Sequence, residues 1–142
     1  MELPALLLGL VVGVSDGDTL TLLTPEKQQV KVRLAEIDAP EKSQPFGQRS
    51  KQSLSALCYD KQAQLRIVDM DRYGRAVARV ICDGTDANAS QVKAGMAHVY
   101  PKYAKDPALY TLQDEARTAK RGLWADPSPV PPWEFRKAQR SK

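Results

Sequence analysis

Cysteine and histidine are almost missing: Cys58, Cys82 and His98 are the whole supply in 142 residues. No CxxC pair occurs, which excludes the cysteine and histidine clusters that hold zinc. Both cysteines stand in apolar stretches and read as small buried hydrophobes. A disulfide between them requires Cα atoms within about 7 Å, which only the fold decides. A lone histidine weighs against metal-free acid–base chemistry, which commonly uses imidazole, and His98 reads as an ordinary core or surface residue. A run of the roughly 20 apolar residues that a membrane-spanning helix needs is also lacking. The opening stretch Leu3 to Val14 is shorter, follows Met-Glu rather than basic residues, and enters Asp16 without a cleavage site, so it reads as a first strand. There is no internal repeat.

What remains is a chain of one-domain size with a mild basic excess. Lys and Arg number 21 against 17 Asp and Glu, giving a net charge of +4 and a pI near 9.1. That balance leans toward a polyanionic partner. Leu8–Val14 and Leu20–Leu23 flank Asp16-Gly17, a pair suited to the positive-φ turns of tight hairpins. Alternation of Val30, Val32 and Leu34 with Lys31, Arg33 and Ala35 predicts a third strand over 28–37. Helical spacing follows over 48–59, with Leu54, Leu57 and Cys58 as its apolar stripe. Two further strands are expected at 63–68 and 75–82, closed by the turn pair Asp83-Gly84.

A short helix is expected from an Asp86 cap to Gly95, and a longer one from Asp106-Pro107, with stripe Leu109, Leu112, Ala116 and Ala119, ending at Gly122. Beyond Trp124, residues 127–132 are too rich in proline for helix or sheet and should lie extended on the surface, pinned by Trp133 and Phe135. The expected division is a domain over 1–126 and a proline-rich, basic tail over 127–142. Five strands with a helix between the third and fourth predict a mainly β, α+β fold: a five-stranded Greek-key barrel of the OB type with about three helices.

The chemistry-bearing residues cluster in sequence around these strands. Asp38 and Glu41, three apart at a strand end, set acids where a cleft can form, and Pro40 biases Ala39 toward an extended backbone. Asp18, Asp38 and a carbonyl fixed in that way would suit a hard cation, calcium or magnesium, rather than zinc. Arg33 and Arg75 are borne on strands, and the arginine fork matches phosphate oxygens without losing its proton near neutral pH.

Taken in order, Asp16-Gly17-Asp18-Thr19, Arg33-Leu34 with Ile37-Asp38-Ala39-Pro40-Glu41, Asp71-Arg72-Tyr73-Gly74-Arg75, Ala94-Gly95-Met96-Ala97 and Gly122-Leu123-Trp124 resemble the staphylococcal nuclease (thermonuclease) family. The set spans about Gly9 to Trp124 at family-like spacing. The resemblance implies an OB barrel and Ca²⁺-dependent hydrolysis of DNA and RNA phosphodiesters, leaving 3′-phosphate ends. It implies that Asp18 and Asp38 bind the ion through carboxylates and Ala39 through its carbonyl, with Asp16 behind them. Arg33 and Arg75 would contact the scissile phosphate and Glu41 would orient or deprotonate water. Tyr103, Tyr100, Tyr73 and Arg72 would touch the substrate.

Two departures from the family pattern are Ala39 in place of threonine and a short segment, 42–45, where the family carries a longer mobile loop. Family habit favours a secreted or periplasmic enzyme whose signal lies outside this sequence, with a cytoplasmic one as the alternative. It is expected to act as a monomer on nucleic acid, without membrane or obligate protein partner. The competing reading is a non-catalytic OB module that grips single strands through stacking and a basic groove. Retention of all five residues Asp18, Arg33, Asp38, Glu41 and Arg75 speaks for the enzyme.

Overall fold

The computed structural model describes residues 4–141; Leu3, where the apolar opening run begins, lies outside them. In chain order the elements are β1 (Leu6–Asp16), β2 (Thr19–Leu23), β3 (Gln29–Leu34), β4 (Ile37–Asp38), α1 (Gly47–Cys58), β5 (Gln62–Met70), β6 (Ala76–Cys82), β7 (Thr85–Asp86), α2 (Ala87–Lys93), β8 (His98–Val99), α3 (Pro107–Thr118) and α4 (Pro132–Arg140), with a 3-10 turn at Gly122–Ala125. Strands β1, β2 and β3 form an antiparallel meander, and β5 lies on the other side of β1 with β6 beyond it. Parallel pairing of β3 with β6 closes the sheet on itself. The result is the expected five-stranded OB barrel, with α1 between its third and fourth strands.

Alternation along the strands fills the interior: Val30, Val32 and Leu34 of β3 face inward beside Leu20, Leu22, Leu65, Ala76, Ala78 and Val80. Closure leaves this barrel without the open edges that a five-stranded sheet would otherwise expose. Helix α1 packs on β1 through buried Leu54 and Cys58. The two expected aspartate caps are in place, Asp86 accepting from the Ala89 N–H and Asp106 from the Ala108 N–H, and Pro107 takes the first turn of α3. The stripe of α3 buries Leu109 and Ala116, but Ala119 is the exposed C-cap and α3 stops at Thr118. Reversal at Lys120, at φ 56°, ends the helix before Gly122.

Three further expectations are corrected. The hairpin turn at Asp16-Gly17 exists, but Gly17 is not among the positive-φ residues; a Cβ there would collide with the Ser50 side chain of α1. Glycine is needed for close approach rather than for turn handedness. The third strand does not run through to Ile37. It breaks at Ala35-Glu36, with Glu36 at φ 70°, and β4 pairs instead with β8 in a separate two-stranded sheet.

The break has a nonlocal cause. The Glu36 carboxylate accepts the Lys105 and Asp106 N–H groups, and Arg79 reaches Glu36, Asp86 and Asp106 together. Buried Asn88 also ties the Ala35 carbonyl to β6.

The third correction concerns the C-terminal segment and the helix count. Residues 126–131 carry no helix or strand, yet Pro132–Arg140 forms α4, a fourth helix. Proline at the first helical position costs nothing because its missing N–H has no intrahelical partner. The helix is docked by Trp133, stacked on Tyr100 at 5.2 Å and set edge-on to His98 at 5.6 Å. A hydrogen bond from Gln44 Nε2 to the Val130 carbonyl, 2.7 Å, holds the approach.

The cysteines are paired: Cys58 and Cys82 have Cα atoms 5.2 Å apart and join α1 to the end of β6 across 24 residues. Closing a loop of that size restricts the unfolded chain. Replacing both cysteines by alanine is expected to lower the unfolding free energy by about 3 kcal/mol, as measured by urea denaturation.

Candidate active site

The hairpin turn between β1 and β2 is fixed from below. Gln91 Nε2 of α2 donates to the Gly17 carbonyl at 2.8 Å and to the Ser50 carbonyl at 3.0 Å. This holds Asp18, which is 7% exposed, with Oδ1 accepting from Thr19 Oγ1 at 2.9 Å and Oδ2 from the Ala39 N–H at 2.8 Å. Ala39 is thereby drawn against Asp18. Asp38, completely buried, is presented by the β4–β8 pair rather than by a continuation of β3.

Arg33 binds these two acids together. Its Nη1 lies 3.3 Å from Asp18 Oδ2 and its Nη2 3.1 Å from Asp38 Oδ1. The same Nη1 donates to the Leu34 and Ile37 carbonyls at 3.0 and 2.9 Å. Burial, opposed by the hydrogen bond from Arg136 and by the charge of Arg33, leaves the Asp38 carboxyl above the usual aspartate range. Asp16 is raised as well, by burial and then by the charge of neighbouring Asp18, with Glu41 adding to it. Asp16 thus feels the charge of Asp18 and Glu41, and Asp38 that of Asp18.

Glu41 reaches this cluster through a residue that sequence reasoning did not single out. Arg136 of α4 donates from Nη1 to Asp38 Oδ1 and Glu41 Oε1, both at 2.9 Å, and from Nη2 to Asp38 Oδ2 at 2.8 Å. No local signal marks Arg136 in a basic tail, since its partners are 98 and 95 residues away. A shallow open hollow lies beside it, lined by Glu41, Ser43, Phe135, Arg136, Gln139 and Arg140.

Arg75 is not in contact with this cluster. Its Nε donates to Asp71 Oδ2 at 2.7 Å within its own hairpin. Asp71 is desolvated, but hydrogen bonds from the Arg75 backbone and side chain and from the Tyr73 N–H hold its carboxyl low. Strand register nonetheless points Arg75 the right way: Arg33 pairs with Val77, and Arg75, two residues earlier, shares that face about 7 Å along the strand. Tyr73 is 68% exposed, with the Arg72 and Arg75 guanidinium groups against its ring. Tyr103 is exposed and meets Tyr100 edge-on at 5.1 Å, whereas one face of Tyr100 is already taken by Trp133.

Among the described residues no three His, Cys, Asp or Glu side chains converge on one metal position. The donor set still fits a hard cation in its chemistry, because Asp16, Asp18, Asp38 and Glu41 offer only oxygen. His98 is no ligand in this arrangement. It is 5% exposed, lies between Trp124 and Trp133, and its Nδ1 has no hydrogen-bond partner.

Burial, with the charge of Arg117 second, lowers the His98 pKa from 6.5 to about 4. A depressed imidazole pKa means that the unfolded chain takes up the proton first, so stability present above pH 6.5 is lost as pH falls toward 4. The loss is expected to reach about 3 kcal/mol at most. Denaturation curves at pH 7 and pH 4 should show it, and His98→Phe should remove this component.

A closed OB barrel with acids and arginines gathered at the end reached by its first hairpin defines the class: an OB-fold protein with a charged site at the barrel mouth. The chain belongs to the staphylococcal nuclease family. The family model described as staphylococcal nuclease homologue matches residues 31–126. A relative from Haemophilus influenzae named "Uncharacterized endonuclease" is 48% identical over 130 residues, covering 92% of this chain and 73% of the relative. One of the same name from Escherichia coli O157:H7 is 46% identical over 129 residues, 90% and 84% of the two chains. A protein of Shigella flexneri named "Micrococcal nuclease" is 39% identical over 144 residues, 94% and 82%.

Proposed function

We propose that the protein is a calcium-dependent nuclease that hydrolyses phosphodiester bonds of DNA or RNA and leaves 3′-phosphate ends. The observation that carries this reading is the cluster at the barrel mouth, where buried Asp18 and Asp38 are bridged by Arg33 and stand beside Glu41 through Arg136. Asp18 and Asp38 would hold the ion through their carboxylates, and Ala39 through its carbonyl. When bound, calcium supplies Lewis-acid neutralisation of charge on the phosphoryl oxygens.

The remaining steps belong to the chain's own groups. Glu41 orients the attacking water and accepts its proton; the water oxygen bonds to phosphorus as the bond to the 5′ oxygen breaks, and that oxygen leaves as a hydroxyl with a proton taken from solvent. The Arg33 fork, already confined by two carbonyls, holds a phosphate oxygen with little reorganisation. Arg75 leaves Asp71 to grip the same phosphate from the β6 side. Asp16 adds negative charge behind the ion, and Arg72, Tyr73, Tyr100 and Tyr103 offer rings and charge to the flanking nucleotides. The enzyme acts as a monomer. The Cys58–Cys82 disulfide favours an oxidising compartment, outside the cell or in a periplasm.

Incubation of the purified chain with single-stranded DNA and with RNA, in calcium and then in chelator, tests this reading. Cleavage that needs calcium and stops with chelator, with ends that a 3′-phosphatase removes, is the expected result. Tight binding without cleavage would instead identify a single-strand binding module.

A further inference from the structure

We infer that Arg136, delivered by α4, is a positioning residue of the site, clamping Asp38 and Glu41 at one fixed separation; the inference rests on the nuclease reading above. The residue lies beyond 31–126, the stretch that the family model matches, so the family match assigns it nothing.

The geometry argues for a clamp. A planar guanidinium that gives two parallel hydrogen bonds to Asp38, at 2.9 and 2.8 Å, fixes the plane of that carboxylate. The Nη1 that serves Asp38 also serves Glu41 at 2.9 Å. One rigid group thus sets the distance between the acid proposed to hold the ion and the acid proposed to act on water. Arg136 is itself held: Trp133, three residues earlier on α4, is stacked on Tyr100 and set edge-on to His98.

Arg136 leaves the ion its place. A carboxylate has about four lone-pair positions. Asp38 uses two on Oδ1, for Arg33 and Arg136, and one on Oδ2, so one is left. Asp18 uses one on Oδ1 and one on Oδ2, since both Nη1 hydrogens of Arg33 go to the Leu34 and Ile37 carbonyls, and has two left. Without Arg136, Asp38 would keep the Arg33 bond on Oδ1 but lose the partner of Oδ2, and Glu41 would no longer be tied to it.

The test uses the full chain and calcium alone, by titration calorimetry without nucleic acid, alongside cleavage kinetics. Arg136→Ala should weaken calcium binding and lower kcat by about 10–100-fold each, with KM moved little, and millimolar guanidinium should restore kcat in this variant and not raise it in the wild type. Arg136→Lys, which keeps the charge but not the fork, should fall between, with an unchanged melting temperature; it carries the test if the alanine variant melts early. Trp133→Ala should weaken calcium binding with Arg136 intact. Calcium binding and kcat at or above wild-type levels in Arg136→Ala and Arg136→Lys would overturn the inference alone, making α4 a spectator or a competitor of the ion. A wild-type chain that does not bind calcium would overturn the calcium reading, and the inference with it.

Discussion

Replacement of Glu41 by glutamine is expected to lower turnover of nucleic acid by about 10²–10⁴-fold while the melting temperature stays nearly unchanged. Glutamine has the same length and keeps an oxygen that can accept the 2.9 Å hydrogen bond from Arg136 Nη1. The Glu41 N–H, which donates to Gln44 Oε1, is untouched. Over a third of the side chain is exposed, so folding gains little from its charge. What glutamine lacks is the ability to take a proton from water. Single-turnover cleavage in saturating calcium, together with a thermal melt, separates the two effects. Turnover equal to wild type would remove Glu41 from the mechanism.

Replacement of Arg33 by alanine should cost both activity and stability. Its side chain is only 15% exposed beside Asp38, which is not exposed at all. Removing it strands Asp38 against Arg136 alone and leaves the Leu34 and Ile37 carbonyls without the donor they share. Breaking a buried pair in this way typically costs about 3–5 kcal/mol. Loss of the donor proposed for the phosphate should lower kcat by about 10²–10³-fold.

Arg75→Ala supplies the contrast. Among the described residues the partners of the Arg75 guanidinium are Asp71 and the Tyr73 ring in its own hairpin, so urea denaturation should stay close to wild type, while turnover should fall if Arg75 grips the phosphate as proposed. Equal stability of the Arg33 and Arg75 variants would show that the buried cluster does not hold the barrel mouth together.

The site was legible in sequence to the extent that its residues sit at strand ends. Asp18 follows the first hairpin turn, Arg33 stands one residue before the end of β3, and Asp38 with Glu41 follows close behind; alternation and turn chemistry are local and can be read in order. The break at Glu36 could not be read so, because it depends on backbone donors at Lys105 and Asp106. The resting partner of Arg75 was local, at Asp71, yet nothing in the pentapeptide distinguishes a hairpin ion pair from a phosphate contact.

By itself the sequence determined the barrel, through five apolar strand segments bounded by turn pairs, alternation on the third of them and aspartate caps on two helices, and it determined the oxygen-only chemistry of the site, through the near absence of cysteine and histidine. Tertiary structure alone decided that the two cysteines pair, that Gly17 serves close packing, and that α4 returns to lay Arg136 on Asp38 and Glu41. The physical reason is distance along the chain. Alternation and capping act within a few residues, whereas a disulfide, a packing collision and a guanidinium clamp are set by which surfaces the closed barrel brings together.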